Sequence, residues 1–199
     1  MSKVICGIAA SLDGFVAGPN MTEEKPFGDM PEDLLHRWMF EEPEKHQAEM
    51  RELSEGNGAY IMGRKMFGPR GESYDKTWKG WWGDDPVYHA PVFVLTHRAR
   101  EPIQMEGGTT YQFVTEGIEA ALEQAKAAAG DKPVAIAGGA DVVNQYLKAR
   151  LLDELWLHIA PVTVGKGSRL FEDVPDLQMI PISVSGTELV THIKYRIVK

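Results

Sequence analysis

Val134-Ala135-Ile136-Ala137-Gly138-Gly139-Ala140-Asp141-Val142 decides how this chain is to be read. The first four residues are a short apolar run of the kind that forms a buried strand, and the paired glycines interrupt it. Val143, Tyr146, Leu147 and Leu151 then recur at helical spacings of three and four. A strand feeding straight into a helix is a unit of an α/β sheet. Working outward, similar apolar runs occupy 4–10, 59–62 and 92–95, each bounded by Gly, Pro or polar residues. A second helical pattern passes through Ile118, Ala121, Leu122 and Ala125.

The last third changes period. Leu155, Leu157 and Ile159 alternate with their neighbours, as do Ile180, Ile182 and Val184, and then Leu189, Ile193, Tyr195 and Ile197. Ser185-Gly186 marks a hairpin turn between the last two runs. The expected fold is therefore α/β, with a mixed, mainly parallel central sheet closed by a C-terminal antiparallel hairpin that covers an edge. Two segments fit this alternation poorly and are expected to act as lids: 18–30, leading into helical stretches near 31–40 and 43–53, and 68–91. The second holds Trp78, Trp81, Trp82 and Tyr88, three of the five tryptophans in the chain. Such rings can stack on a planar ligand, or they can pack internally or against a second subunit.

The 199 residues suit a single domain spanning 1–199, and no repeat or low-complexity linker divides them. With 21 basic and 29 acidic residues the net charge is -8, which argues against nucleic acid as the partner and requires any anionic ligand to find a local basic pocket. Cys6 stands alone, so no intrachain disulfide or Cys-rich zinc site can form, and a reducing cytoplasm is the expected location. No run reaches the roughly 18 apolar residues of a membrane span, and the N-terminal run is too short for an export signal.

The familiar chemical motifs are missing. No G-x-G-x-x-G follows a strand, Gly165-Lys166 lacks the remainder of a P-loop, and no Gly-x-Ser-x-Gly elbow occurs. His36, His46, His89, His97, His158 and His192 form no paired metal-ligand spacing and are expected to be structural or exposed.

Four strand ends remain, and strand ends are where open α/β sheets place ligands. After the first strand comes Ala9-Ala10-Ser11-Leu12-Asp13-Gly14, where Asp13 is either a turn former or a carboxylate that holds a polar substrate group or relays a proton. The second, Tyr60-Ile61-Met62-Gly63-Arg64-Lys65-Met66-Phe67, sets two cations at a helix start, a phosphate-binding arrangement. The third, Val92-Phe93-Val94-Leu95-Thr96-His97-Arg98, ends in a hydroxyl, an imidazole and a guanidinium, the equipment a 2′-phosphate of NADP requires. The fourth is the opening stretch, whose bare glycines let backbone approach a pyrophosphate or nicotinamide.

Taken in order, these motifs resemble the dihydrofolate reductase-like superfamily, in particular the reductase domain of the riboflavin-biosynthesis deaminase-reductase. The likeness is carried by Ser11-Leu12-Asp13-Gly14, Gly63-Arg64-Lys65, Thr96-His97-Arg98, Gly138-Gly139, the stretch from Asp153-Glu154-Leu155 to Ala160-Pro161-Val162, Gly165-Lys166-Gly167 and Leu170-Phe171. It implies a three-layer fold and an NADPH site: Gly63, Arg64 and Lys65 near the phosphates, Thr96, His97 and Arg98 at the 2′-phosphate, and Gly138, Gly139, Ala140, Asp141 and Val142 along the pyrophosphate. Ala9 and Ala10 would lie by the nicotinamide and Asp13 would face the substrate. Residues 155–161 and the strands beside Gly186 would form a homodimer surface. The implied activity is hydride transfer from NADPH to a small heterocyclic substrate, an aminopyrimidine with a ribosyl phosphate or a pterin, with Trp78 and Trp82 over the groove. An NADP-binding dimer without turnover, or a flavin in the groove, are the other readings.

Two departures bear on the substrate. The riboflavin-pathway reductases carry a Glu just before the glycine of the fourth motif, where this chain has Ala137. The companion deaminase's zinc motif cannot be built from one cysteine. Met30-Pro31-Glu32-Asp33-Leu34 resembles the folate enzyme's segment with its active-site acid, which would make Asp33 a proton donor, although the same residues also suit an ordinary helix start.

Overall fold

The strand run at the N-terminus becomes β1 (Val4–Ser11), and it sits in the middle of the sheet because it is apolar on both faces. The computed structural model describes residues 2–69 and 77–199. Around β1 lie β7 (Val134–Gly138), β3 (Ala59–Gly63), β4 (Pro91–Leu95) and β6 (Thr110–Val114) on one side and β8 (Glu154–Ala160) on the other, every neighbouring pair parallel. Antiparallel strands close both ends: β5 (Ile103–Gln104) beyond β6, and β11 (Thr191–Ile197) then β10 (Met179–Gly186) beyond β8. A separate pair joins β2 (Phe15–Ala17) to β9 (Ser168–Arg169). The expected mixed, mainly parallel α/β sheet with a terminal hairpin is the observed architecture.

Period-two alternation divides the central strands between two layers. Val4, Cys6, Ile61, Phe93 and Ile136 pack against α4 (Ile118–Ala129) and α5 (Ala140–Lys148). Ile5, Tyr60, Met62, Val92 and Val94 face the opposite way, against Phe67 of α3 (Arg64–Phe67), Tyr88 and Tyr111. Full burial of a side chain such as Ile61 or Ile136 contributes about 1.5–3 kcal/mol. On this second face, α1 (Arg37–Glu41) and α2 (Gln47–Ser54) cover the β1 and β8 end.

Two local expectations change. Ser185 and Gly186 stay in the ladder, paired with His192 and Thr191, and the turn falls at 187–190, where the Thr187 amide donates to the Val190 carbonyl over 2.9 Å. Gly186 is needed there for close approach, since a Cβ would stand 2.4 Å from the Val190 oxygen. The helix expected across 31–40 begins only at Arg37; residues 31–36 form turns in which the His36 amide donates to the Asp33 carbonyl. β8 is flanked on both sides by β1 and β11, and at that end of the sheet the edge strand is β10. Among the described residues, no helix is long and apolar enough to cross a membrane.

Candidate active site

The carboxyl ends of β1, β3, β4 and β7 open into one groove of about 1060 Å³, which continues down the second face of the sheet to α1 and α2. At the β4 end it is lined by half-buried Thr96 and exposed His97 and Arg98, faced by Thr115 and Gly117. The Thr96 hydroxyl accepts the Arg98 amide at 3.2 Å, fixing the tight bend that brings the two side chains together.

Gly63 ends β3 and begins α3, so Arg64 and Lys65 reach the groove wall from the first turn. Gly139 joins the end of β7 to α5, and Ala140, Asp141 and Val142, the first turn of α5, line the groove beside it. The two turns pack closely: a Cβ on Gly63 would lie 2.8 Å from Val142 Cγ2. A Cβ on Gly139 would meet nothing within 4 Å, so this glycine faces open space at the amino end of a nine-residue helix. Gly138 is buried behind it, with φ of +124°. Lys65 and Asp141, two separate expectations from sequence, form a half-exposed ion pair of 2.9 Å across this gap.

Ala9 lines the groove floor, while Ala10 is buried on the other side of the strand, as alternation requires. Asp13 lies outside the lining. Its carboxylate accepts the Ser11 hydroxyl at 2.6 Å and the amides of Val164 and Gly165 at 3.0 and 2.8 Å. These bonds, the Ser11 hydroxyl foremost, hold its pKa below the usual carboxylate value. Asp13 therefore ties the end of β1 to the loop that follows β8.

Trp82 lines the groove with Trp81, whereas Trp78 stands behind, its indole N–H donating to the Phe67 carbonyl at 2.8 Å. The expected lid at 68–91 includes residues 70–76, which lie outside the described residues. In the other expected lid, Met21, Pro26, Phe27, His36, Trp38 and Met39 form an apolar wall. Asp33 is exposed and outside it. The turns at 31–36 set His36 in the lining and leave Asp33 on the outside.

What sequence reasoning missed is histidine. His158 of β8 lies beside Ala9 in the ladder and lines the groove, and its Nε2 is buried with no hydrogen-bond partner. Its Nδ1 is 2.7 Å from Nδ1 of His192, whose Nε2 is 2.9 Å from Nδ1 of His46. All three are buried, and what the spacing along the chain did not show is that they adjoin one another. Burial pushes the His158 pKa down to about 3 and lowers that of His192. Ligand-capable atoms of His46, Glu49 and His192 also fall within 4.8 Å of one another. The visible signal is cross-strand: His158 and His192 are register partners in β8 and β11.

Residues 2–193 match the family described as the RibD C-terminal domain. A protein of Bacillus subtilis (strain 168), YyaP, is 25% identical over 176 residues, covering 86% of this chain and 81% of its own. A solved structure of a putative riboflavin biosynthesis protein from Shewanella sp. PV-4 covers both chains fully, with 21% identity and a TM-score of 0.69. Dihydrofolate reductase from Enterococcus faecalis, complexed with NADP(H) and RAB-propyl, is 18% identical with a TM-score of 0.56, covering 99% of this chain and 97% of its own. These structural likenesses establish a dihydrofolate reductase-like fold.

Proposed function

This chain belongs to the RibD C-terminal domain family, and from that premise we propose that it is an NADPH-dependent reductase of a small, planar nitrogen heterocycle. The observation that carries the reading is the continuity of the groove, which runs from Thr96 and Arg98, past the open glycine at the α5 amino end, to Ala9 and the aromatic wall. A dinucleotide fits that sequence of surfaces: cations for a 2′-phosphate, helix amides for the pyrophosphate, and small side chains under the nicotinamide. Bound there, NADPH would supply a hydride.

The chain's own residues would position and shield. Thr96, His97 and Arg98 hold the 2′-phosphate; Arg64 and Lys65, with the first turn of α5, hold the bridging phosphates; Ala9 permits close approach of the nicotinamide. Phe27 and Trp82 would flank a planar substrate and exclude water, with Trp38 buried behind them. Asp13 acts as a positioning residue for the loop at 162–165. An aminopyrimidine of the riboflavin type suits the family, and Ala137 in place of the Glu of that pathway's reductases leaves the substrate contact to other side chains. Two protomers would meet through the β10 edge, and the single cysteine, buried, suits a reducing cytoplasm.

The test is NADPH binding by fluorescence, followed by cofactor oxidation with a panel of aminopyrimidines, pterins and quinones. Tight binding with turnover of one heterocycle is the expected result. Binding without oxidation across the panel would overturn the reductase and leave an NADP-binding protein.

A further inference from the structure

Reduction of a C=N or C=O bond needs a proton as well as a hydride, and the carboxylates near the substrate end are otherwise engaged or turned away: Asp13 is bonded to Ser11 and to loop amides, Asp33 lies outside the lining, and Glu52, on the α2 wall, is ion-paired with Lys194. We infer that His158, His192 and His46 form a proton relay that carries a proton from solvent to the substrate, with His158 Nε2 as the final donor. This rests on the reductase reading above.

Three observations carry it. First, the contacts are continuous: His158 Nδ1 to His192 Nδ1 at 2.7 Å, His192 Nε2 to His46 Nδ1 at 2.9 Å, and His46 Nε2 to the Thr187 hydroxyl at 3.4 Å and to Glu42 Oε2 at 3.7 Å. Second, the chain has distinct ends. His158 lines the groove with its unpartnered Nε2 buried at the wall, 3.7 Å from where a Cβ on Gly7 would stand, and the other end reaches the partly exposed Thr187 and Glu42. Third, Trp38 packs on all three imidazoles, with ring centroids at 4.8 to 5.3 Å, so the path runs through the rings. The surrounding charged and titratable groups are Glu42, Glu49, Glu52, Lys194 and His36.

The proton balance closes with every imidazole neutral before and after, which suits their burial. In the donor arrangement His158 carries its proton on Nε2, His192 on Nδ1 and His46 on Nδ1. The substrate carbon accepts the hydride, its π pair moves onto the nitrogen or oxygen, and that atom takes the proton from His158 Nε2. His158 Nδ1 then takes the proton of His192 Nδ1, His192 Nε2 takes that of His46 Nδ1, and His46 Nε2 recovers one from solvent at Thr187 and Glu42. The substrate gains one hydride and one proton, the nicotinamide is oxidised by two electrons, and the relay is left with each tautomer reversed. Uptake of a solvent proton at His158 Nε2 with release of one from His46 Nε2, or a turn of the rings, resets it.

The test uses His192→Phe and His46→Gln in the full chain, with folding checked by circular dichroism. With a substrate in hand, turnover is expected to fall about a hundredfold in His192→Phe, within the range for loss of general acid catalysis. NADPH affinity should change less than about threefold, as neither side chain lines the groove. A solvent isotope effect with a curved proton inventory in the parent should become linear in the variant. Parent-like turnover and isotope effect in both folded variants would overturn the relay. A separate arm needs no turnover: nitrogen-15 NMR of labelled histidines in the cofactor-free protein reads the tautomer of His158, which should shift in His46→Gln although the two rings are not in direct hydrogen-bond contact. An unchanged His158 tautomer would overturn the coupling. Loss of turnover in the parent on the whole panel, with tautomer coupling intact, would count against the reductase reading and not against the chain of imidazoles. Stoichiometric zinc in the purified protein, held through His46, Glu49 and His192, would overturn the relay outright.

Discussion

Lys65 Nζ lies 2.9 Å from Asp141 Oδ2, tying the first turns of α3 and α5 across the groove where a phosphate is proposed to bind. Both side chains are about half exposed, so the pair contributes no more than about 1 kcal/mol to stability. Its larger effect is on the incoming anion, which meets a dipole in place of a bare ammonium. Asp141→Asn is therefore expected to tighten NADPH binding by up to about fivefold at low salt, with a gain that shrinks as ionic strength rises. Loss of an acid from the first turn of α5 should cost about 0.3–1 kcal/mol of stability. Fluorescence titration at two salt concentrations checks the first; weaker binding would make the carboxylate a cofactor ligand.

Arg98 carries the cofactor preference in this reading. A hydrogen bond to a charged group is worth about 1.5–3 kcal/mol, so Arg98→Ala should weaken NADPH by roughly ten- to a hundredfold while changing NADH little. Paired dissociation constants decide it. Equal losses for the two cofactors would remove the 2′-phosphate from the Thr96-His97-Arg98 bend.

Asp13 should make the loop at 162–165 sensitive to acid. Its folded pKa lies below the ordinary 3.8, through the Ser11 hydroxyl and the Val164 and Gly165 amides. The stabilisation is then present above pH 3.8 and lost as pH falls through the lower folded value. Asp13→Asn should lower the urea midpoint at neutral pH and flatten its decline below about pH 4. A decline as steep as in the parent would show that the acid step comes from other carboxylates.

The histidine cluster predicts a second, higher acid window. His158 titrates near 3 in the folded chain and near 6.5 when unfolded, so protons bind the unfolded state first as pH drops from about 6.5. Stability should fall across pH 6.5 to 3 and level off below, with a slope of about 1.4 kcal/mol per pH unit for each such group. His158→Phe should reduce that slope, read from chemical denaturation at a series of pH values.

Strand β10 leaves Ile182 and Val184 53% and 65% exposed on an unpaired sheet edge. Light scattering is expected to give a dimer for the parent and a monomer for the double variant Ile182→Lys and Val184→Lys, with the thermal midpoint little changed. A dimer that survives both substitutions would place the interface elsewhere.

The elements that could be read in advance are those whose signal is local. The strand runs at 4–10, 59–62, 92–95 and 134–137 each fall within the strands observed, because alternation and Gly or Pro boundaries act over a handful of residues. The strand-end motifs were legible for the same reason: in a parallel sheet every strand presents the same end to one groove, so residues after separate strands converge without any knowledge of strand order.

Tertiary structure alone decided the rest. That Lys65 meets Asp141, that Asp13 spends its carboxylate on amides 151 and 152 residues away, and that the lid offers Phe27 and Trp38 in place of Asp33 all depend on which surfaces pack together. The imidazole chain is the clearest case. His158 and His192 adjoin because β11 adds beside β8, and His46 reaches His192 across 146 residues because α2 covers that end of the sheet. No spacing along the chain encodes such a contact, because its free energy arises from burying three rings and a tryptophan together, a gain that exists only once strand order has set the faces in place.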